Sequence, residues 1–342
     1  MVTMLDVSRE AGVSSATVSR VLTGSAEVDP KTRMLVLAAV EKLGYRPNLV
    51  ARGLRRQASQ VIALIITDIE NPFYTAVCRG VEDSARLAGY SVILCNADRD
   101  IEKEREYLRV VEDQNASGII ISPASAHRTD ISNLVARGLP VIAVDMALAA
   151  ATGSVLVDNK DAGALATNHL IGKGCTRIAC ITGPAENSTA ADRVEGYRRA
   201  IAEAGIQEEP KLVIYANYLE DGGYKATRRL LGLKTRPDGL FVTNNRMAVG
   251  ALRALQEMGV SIPDDINIIG FDELPWALEL HPYLSLVRQP AYRIGQEAAR
   301  LLIACIRKEE PVKHVILDAE LVARDRRPLA KARKKPAKAT IT

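Results

Sequence analysis

From residue 61 to residue 271 the chain alternates short apolar runs with longer amphipathic stretches, and this alternation restricts the possible folds more than any other feature. Short apolar runs suit strands buried on both faces, whereas amphipathic stretches suit helices. Their alternation at this spacing predicts parallel, doubly wound sheets, so the predicted fold class is α/β. The predicted strands are 61–66, 91–95, 118–121, 141–144, 177–181, 212–215, 239–242 and 267–271, and the predicted helices are 72–88, 102–114, 131–137, 193–204, 223–231 and 248–258.

The number of these units predicts two lobes, because seven or more strand–helix units exceed one sheet of ordinary size. The polar, glycine-containing break at 150–154 predicts the boundary between them, and residues 284–317 are predicted to cross back. Ligands of doubly wound sheets bind beyond the carboxyl ends of the strands. We therefore expect a ligand cleft between the lobes.

The first residues of the chain predict two short helices joined by a glycine turn. Thr3, with an acidic residue three positions on, predicts an N-cap, and Gly12 ends the helix that follows. Ser14 is a second N-cap for a helix over 15–22, with Val18 on its inner face. Helix, glycine turn and capped helix form the layout of a DNA-binding helix-turn-helix, although any helical hairpin with a glycine turn imitates it.

A third helix is predicted immediately after this pair. Asp29 and Pro30 match the rule of an N-cap followed by proline at the first helical position, and Gly44 ends the helix. Three short helices can enclose one small core. The face predicted to point into that core consists of Met34, Leu37, Val40 and Leu43.

Charge is divided unevenly along the chain. The formal net charge is +4, but residues 1–60 carry nine basic and five acidic side chains, residues 323–342 carry eight and one, and residues 61–322 have a net charge of −7. An acidic body with a basic head and tail predicts contact with a polyanion at the ends only. For the tail alone, a solvated disordered end is the simpler interpretation.

Composition indicates a globular, cytoplasmic protein. Hydrophobic residues form 47% of the chain and charged residues 25%, which permits a large core. There is no apolar run of about 18 residues and no signal-peptide layout, so we expect neither membrane insertion nor export. The five cysteines are scattered, which is typical of thiols in a reducing compartment, and the four histidines lack metal-ligand spacing. We therefore predict no metal and no cofactor.

Enzyme function is disfavoured by the motifs that the sequence lacks. No predicted strand ends in GxGxxG or GxxxxGK[ST], so the backbone cradle of a nucleotide-dependent α/β enzyme is missing. There is also no GxSxG elbow. A free binding protein for small ligands would share the two-lobed core, but it would need export and would have no use for a helix-turn-helix. The prediction is therefore a regulator, not an enzyme.

Two stretches of the first 56 residues closely resemble the headpiece of the LacI/GalR family of bacterial repressors. They are DVSREAGVSSATVSRVL at 6–22 and LGYRPNLVARGLR at 43–55. The core carries further motifs of that family at its predicted strand ends, and the family core is similar to periplasmic sugar-binding proteins. These motifs are TDIENPFY at 67–74, DN at 158–159, GPAENSTAADRVEGY at 183–197, TNN at 243–245 and GFDE at 270–273.

The resemblance implies four segments: a DNA-binding headpiece at 1–47, a hinge helix and linker at 48–60, a two-lobed effector-binding and dimerisation core at 61–322, and a basic, disordered tail at 323–342. It also implies a cytoplasmic homodimer on a pseudo-palindromic operator of double-stranded DNA. A small sugar or sugar acid would change the operator affinity. The resemblance leaves one alternative open, in which a phosphorylated protein docks on the core instead.

The DNA contacts implied by the resemblance lie on the second helix and the hinge. Ser15, Ala16 and Arg20 would read base edges, with Arg20 able to pair bidentately with guanine. Leu54 would wedge a base step in the minor groove, although a linker leucine that packs on the core is the alternative. The remaining predicted DNA-contacting residues are Ser14, Thr17, Ser19, Asn48 (a cap of the hinge helix) and Arg55.

The effector contacts implied by the motifs come from both lobes: Asn71, Phe73, Asp158, Arg193, Tyr218, Asn244, Asp272 and Trp276. Carboxylates accept from sugar hydroxyls, arginine donates in a fixed fork, and an aromatic ring can cover the apolar face of a sugar. Structural roles are the alternatives: Asp158 and Asp272 could cap loops, Phe73 and Trp276 could be packing residues, and Arg193 could begin its helix or bridge the lobes.

The sequence departs from the family pattern at two places. Asn245 stands where many relatives have aspartate, and Arg246 after it is expected to place a cation beside the pocket, which would suit an acidic sugar. Asn187 lacks the positive charge of the purine-binding members, which argues against a purine ligand.

Overall fold

The structure is a computed structural model that describes residues 2–23, 28–45, 59–273, 284–309 and 313–324. The predictions for Asn48, Leu54, Arg55 and Trp276, and for most of the basic tail, lie outside these residues. The chain divides into two compact units, Met1–Ser59 and Gln60–Thr342, and we describe each by itself. In the part of the chain that the structure describes, no helix has the length and apolarity needed to cross a membrane.

The first unit contains three helices: α1 (Met4–Ala11), α2 (Ser15–Thr23) and α3 (Pro30–Leu43). A reciprocal capping box begins α1, because the Thr3 N–H donates to Asp6 Oδ2 over 2.8 Å and the Asp6 N–H donates to Thr3 Oγ1 over 3.3 Å. Ser14 Oγ accepts from the Thr17 N–H over 3.2 Å at the start of α2. The sequence-predicted caps therefore determine where these helices begin.

The small core of this unit corrects the predicted inner face of α3. Val36 and Ala39 are buried against Val7 and Val18, whereas Met34 is 66% exposed and Leu37 is 49% exposed. The centre of α3 reads MLVLAAV, so apolar residues occur on every face and periodicity alone cannot choose between them. Contacts with α1 and α2 make that choice. Two residues of the predicted face, Val40 and Leu43, are partly buried at the edge of the same core.

The second unit contains two six-stranded sheets. The first lobe is formed from β1 (Val61–Ile66), α4 (Pro72–Leu87), β2 (Ser91–Asn96), α5 (Ile101–Asp113), β3 (Gly118–Ile121), α6 (Ser132–Ala136), β4 (Val141–Val144) and β5 (Gly153–Val157). Its central strands β1, β3 and β4 have almost no exposed side chains, which is why they read as continuous apolar runs. Burial of each large aliphatic side chain contributes roughly 1.5 to 3 kcal/mol.

The second lobe repeats this architecture with α7 (Asn159–Gly172), β6 (Ile178–Thr182), α8 (Ser188–Glu203), a 3-10 turn (Pro210–Leu212), β7 (Val213–Tyr215), α9 (Glu220–Leu231), β8 (Gly239–Val242), α10 (Asn245–Glu257) and β9 (Asn267–Phe271). Strands β6 to β9 pair in parallel, in the order β9-β8-β6-β7. The predicted α/β class with two parallel-sheet lobes is confirmed.

The last part of the chain passes between the lobes more than once. β10 (Ser285–Arg288) joins the second sheet, α11 (Ala291–Arg307) packs on α4 of the first lobe, β11 (His314–Leu317) pairs with β5, and β12 (Glu320–Val322) pairs antiparallel with β10. The first sheet therefore has the order β11-β5-β4-β3-β1-β2, and the second is completed by β12-β10 beside β9.

The predicted lobe boundary at 150–154 is wrong, because Gly153–Val157 is a strand of the first sheet. The chain first passes to the second lobe at Asp158, directly after that strand. Glycine and polar residues at the start of a short strand resemble a loop in the sequence. The predicted return of 284–317 is correct for α11 and β11, but β12 then returns to the second sheet.

Candidate functional site

A cavity of about 380 Å³ lies between the lobes, where strands of both sheets end. Residues of both lobes line it. Six of the residues predicted to bind an effector are among them: Asn71, Phe73, Arg193, Tyr218, Asn244 and Asp272.

Arg193 is the buried cation of this cavity, and it is 4% exposed. Its Nε donates to Asn159 Oδ1 over 2.8 Å, and its Nη1 donates to the Thr243 carbonyl oxygen over 2.7 Å. The guanidinium lies over the Phe271 ring, 3.8 Å from the ring centre. Arg193 also lines the cavity, so its guanidinium is available there as a fixed hydrogen-bond donor.

The position of Arg193 depends on a close approach of α7 to α8. A Cβ on Gly163 of α7 would lie 2.3 Å from the Arg193 carbonyl oxygen, so no larger residue fits there without movement of a helix. This contact brings Arg193 beside Asn159 in the first turn of α7. Arg193 does not begin its helix, because it lies in the second turn of α8. It does not bridge the lobes either, because its hydrogen-bond partners belong to its own lobe.

Two half-buried carboxylates, Asp145 and Asp272, accompany Arg193, and each follows the last residue of a strand. Asp145 follows β4, and its Oδ2 accepts from the Tyr74 hydroxyl over 2.9 Å. Asp272 follows β9, and Gln289 Nε2 donates to its Oδ2 over 2.9 Å and to its Oδ1 over 3.1 Å. The cavity thus combines the buried Arg193 with two hydrogen-bonded acids, and the charged residues Arg99, Arg128 and Glu186 also line it.

Burial is the main influence on the pKa of both carboxyl groups. It raises the pKa of Asp145 above its usual range, and it raises the pKa of Asp272 to about 6. The nearby Arg193 guanidinium opposes this and lowers the pKa of both groups. Hydrogen bonds from Gln289 also favour the ionised form of Asp272. The donors around the two acids thus favour the ionised form, in which a carboxylate accepts hydrogen bonds through both oxygens.

Four residues that line the cavity have a strained backbone. The φ angles are 60° at Arg99, 65° at Asp145, 61° at Tyr218 and 65° at Asp272, all in the left-handed region. Such a conformation costs a non-glycine residue of order 1 to 3 kcal/mol and recurs at ligand sites, where the surroundings fix a side-chain direction. The Tyr218 ring lies against Gly183, where a Cβ would be 2.0 Å from the ring.

Phe73 forms an apolar wall of the cavity. It is buried in the main core cluster of the first lobe and meets Tyr74 edge-on, with ring centres 5.0 Å apart. The two interpretations of Phe73, core residue and cavity wall, therefore both hold. A ring face of this kind suits the apolar side of a small polar ligand.

The amide side chains have double roles. Asn71 Oδ1 caps α4 by accepting from the Phe73 N–H over 3.0 Å, and Asn244 Oδ1 caps α10 by accepting from the Met247 N–H over 3.0 Å. Both residues also line the cavity. Local helix capping thus fixes the orientation of two amide groups of the lining.

Three other sequence predictions have different outcomes. Asp158 does not line the cavity; its Oδ1 accepts from the Asp161 N–H over 2.9 Å and caps α7, which was its alternative interpretation. Arg246 lies beside the cavity, as predicted, without lining it, and it is paired with Asp68. Trp276 lies outside the described residues.

Several lining residues were missed by the sequence analysis. Asp145 could have been found, because it follows the predicted strand 141–144 as Asp272 follows 267–271. Tyr74 could also have been found, since it closes the motif at 67–74. Gln289 carries no motif, and it reaches the cavity only because the chain passes between the lobes after β10.

The second candidate surface lies on α2 of the first unit. Ser15, Ala16 and Arg20 are exposed, and the Ser14 and Thr17 hydroxyls lie 2.9 Å apart at the start of the helix. Val18 and Val21 are buried on the opposite face. A helix N-terminus with small polar residues can approach phosphates and bases closely. Across the described residues, no group of three or more His, Cys, Asp or Glu side chains could hold a metal ion.

Comparison with protein families assigns both parts of the chain. Residues 3–48 match the family of bacterial regulatory proteins, lacI family. Residues 59–324 match the periplasmic binding proteins and sugar binding domain of LacI family.

Individual relatives agree with this assignment. The chain is 40% identical to the ribose operon repressor of Halalkalibacterium halodurans over 90% of this chain and 92% of the relative. A transcriptional regulator solved in complex with cellobiose, CelR, is 30% identical, covers 95% of this chain and 99% of its own, and has a TM-score of 0.72. The lac repressor dimer bound to operator and an anti-inducer is 26% identical, covers 94% and 98%, and has a TM-score of 0.83. The chain therefore belongs to the lacI family of bacterial regulatory proteins, and it is a DNA-binding transcriptional regulator, not an enzyme.

Proposed function

We propose that this regulator binds a pseudo-palindromic operator as a homodimer and that a small neutral sugar in the interlobe cavity changes its operator affinity. The observation that carries the proposal is Arg193, fixed beside Asp145 and Asp272 at a cavity with an aromatic wall. A polyol can donate to both carboxylates and accept from the guanidinium, while Phe73 covers its apolar face. Because polar groups left unpaired on closure would be costly, the ligand and closure should support each other.

A neutral sugar fits better than the sugar acid that Arg246 was expected to attract. The Arg246 charge is already matched by Asp68 at 2.9 Å. The cavity lining has three arginines, Arg99, Arg128 and Arg193, and three acidic residues, Asp145, Glu186 and Asp272, so its formal charges balance and offer an anion no net attraction. Relatives named a ribose operon repressor and a regulator–cellobiose complex support the sugar class, and D-ribose is our first candidate.

The proposal is tested with full-length protein by calorimetric titration of D-ribose, other pentoses, hexoses and their acids, combined with operator selection from a random duplex library. We expect heat from a neutral sugar and a changed operator affinity in its presence. Heat from a phosphorylated carrier protein, with none from any sugar, would favour the phosphoprotein alternative instead. Failure to select any duplex sequence would contradict the whole proposal.

Pairing of two copies is supported by exposed apolar side chains on the first lobe. Leu87 at the end of α4 and Ile93 and Leu94 on the edge strand β2 are large and exposed. Exposed apolar side chains on and beside an edge strand favour association with another chain over exposure to water. We propose this edge as part of the dimer contact. Since the partner is chromosomal DNA, we also propose that the protein works in the cytoplasm.

The proposed division of the chain places the DNA-binding headpiece at 1–47, the hinge and linker at 48–60, the core at 61–322 and the tail at 323–342. The family matches at 3–48 and 59–324 support it, as does the division of the structure after Ser59.

Arg20 is the proposed reader of a guanine. Arg20→Ala should relax the preference at one base pair in each half-site, because a bidentate arginine–guanine contact is worth about 1 to 3 kcal/mol of discrimination. Selection from a library randomised over the half-site measures this. Arg33→Ala, at an exposed position on α3, is the control and should retain the wild-type preference. An unchanged selection profile for Arg20→Ala would remove this residue from base readout.

Sugar binding should weaken in acid. Asp272 has its pKa raised to about 6, chiefly by burial. The ionised carboxylate accepts more hydroxyl hydrogen bonds than the protonated form, so ligand binding favours ionisation and is strongest above that pKa. Affinity should fall by up to about tenfold per pH unit below it. Calorimetry from about pH 8 to pH 5 measures the dependence. Asp272→Asn should bind more weakly with a flatter profile, whereas an unchanged profile would exclude Asp272 as the titrating acceptor.

A further inference from the structure

Four side chains join the two lobes at the rim of the cavity, and we name them the interlobe clamp: Asp68 and Asn71 of the first lobe, and Asn245 and Arg246 of the second. Arg246 Nη1 lies 2.9 Å from Asp68 Oδ2, and Asn245 Nδ2 donates to Asn71 Oδ1 over 2.9 Å. The clamp is therefore one shielded ion pair beside one amide hydrogen bond, and both cross from lobe to lobe. The exposed Glu70 of the first lobe adds a second, peripheral ion pair to Arg246 Nη1 at 3.3 Å.

The ion pair is shielded from solvent. The Asp68 side chain is 7% exposed and the Arg246 side chain is 27% exposed. A pair at this burial is screened by water less than a surface pair. Asn245 is completely buried, and its bond to Asn71 lies deeper still. The clamp thus favours the closed arrangement of the lobes through contacts that opening must break.

Asp68 also connects the clamp to the cavity. Its Oδ2 accepts from Arg99 Nη2 over 2.6 Å as well as from Arg246, and Arg99 lines the cavity. Its Oδ1 accepts from the Glu70 N–H over 3.0 Å. If Arg246 is removed, Arg99 still neutralises Asp68. A variant without Arg246 therefore loses the ion pair between the lobes, keeps the Asn245–Asn71 hydrogen bond and does not leave the Asp68 charge unpaired.

We propose that Arg246 is a positioning residue for effector binding: its ion pair with Asp68 sets the fraction of molecules whose lobes are closed around the cavity. This rests on the proposed function only in assuming that closure and effector binding are coupled. Apparent effector affinity is the affinity of the closed form multiplied by the fraction closed. Loss of the ion pair lowers the fraction of molecules whose lobes are closed. Effector binding should therefore weaken, although Arg246 itself does not contact the effector.

The variants are chosen to separate this role from general stability. Arg246→Met keeps an unbranched apolar chain and removes the charge, whereas Arg246→Lys keeps a charge that can reach Asp68. The matched control is Arg253→Met, two turns further along α10. Arg253 is half-exposed, and its ion pair at 2.8 Å is with Glu220 of the same lobe. Thermal unfolding checks that all three variants fold.

The first readout needs no effector. Hydrogen exchange of backbone amides in 67–74 and 243–248 reports opening at the clamp in the full-length protein. We expect exchange there to be about three- to tenfold faster in Arg246→Met, to return close to wild type in Arg246→Lys, and to stay unchanged in Arg253→Met. Equal exchange in Arg246→Met and wild type would overturn the proposal, as would an equal increase in Arg253→Met or a failure of Arg246→Lys to restore protection.

The second readout uses D-ribose, or the sugar from the calorimetric panel that binds wild type. Arg246→Met should bind it about three- to tenfold more weakly, and the effector-free operator affinity should move opposite to the change that the sugar produces. An unchanged sugar affinity with faster exchange would overturn the link between clamp and effector. If wild type binds no sugar, the proposed function fails, and the exchange experiment still decides whether the clamp holds the lobes closed.

Discussion

Arg193→Ala should abolish the response to effector while operator affinity in the absence of effector changes by less than about twofold. Arg193 lines the cavity with a buried guanidinium that stacks on Phe271 and is fixed by hydrogen bonds through Nε and Nη1. Hydrogen bonds to a charged group are worth about 1.5 to 3 kcal/mol each. Its loss also removes the positive charge that lowers the pKa of Asp145 and Asp272. We expect effector affinity to fall by at least about 100-fold.

Calorimetry with the identified sugar and operator titration with and without it measure this result. Arg199→Ala is the matched control, because Arg199 lies on the same helix, half-exposed, and pairs with Asp161 at 2.6 Å on the surface. Arg193→Lys should be intermediate, since lysine keeps the charge but loses the planar fork. A normal effector response in Arg193→Ala would exclude this residue from the binding site.

Leu54→Ala should weaken operator binding by about 100-fold and binding to random duplex by no more than about twofold. The resemblance assigns Leu54 to the hinge, where a leucine inserted between base pairs keeps the duplex kinked. Alanine is too short to hold that step open, and unstacking is worth a few kcal/mol per step. Random duplex is bound through phosphates without the kink, so it should not be sensitive to this change.

Fluorescence anisotropy with operator and scrambled duplexes at one salt concentration measures both affinities. Leu35→Ala provides the control, because Leu35 is an exposed leucine of α3 in the same unit. Equal losses on operator and scrambled duplex would indicate a linker role for Leu54, with general weakening of the headpiece.

Most of the core could be predicted because its strands are buried on both faces. Strands 61–66, 118–121, 141–144, 239–242 and 267–271 were predicted with their observed limits. Helix starts were less accurate where a cap was overlooked. The prediction began one helix at Arg193, whereas α8 starts at Ser188, because Asn187 Oδ1 accepts from the Thr189 N–H over 3.0 Å.

The parts that could not be predicted depend on contacts between distant segments. The buried face of α3 is chosen by α1 and α2, and the sequence of α3 alone is apolar on every side. The sequence alone does not show a partner for Arg246, because Asp68 is distant in the chain. The approach of the lobes places Arg246 Nη1 2.9 Å from Asp68 Oδ2. Gln289 contributes to the cavity through its position after β10, which no local pattern records.

The repeated passage of the chain between the lobes has a consequence for folding during synthesis. The first sheet lacks its edge strand β11 and the covering helix α11 until residues 291–317 have been made. The face of α4 that packs on α11 is therefore uncovered while the second lobe is still emerging. Domains usually fold as units in order of synthesis. Here the first lobe can be completed only after the second lobe has been synthesised. Nearly the whole core is therefore translated before either lobe is complete.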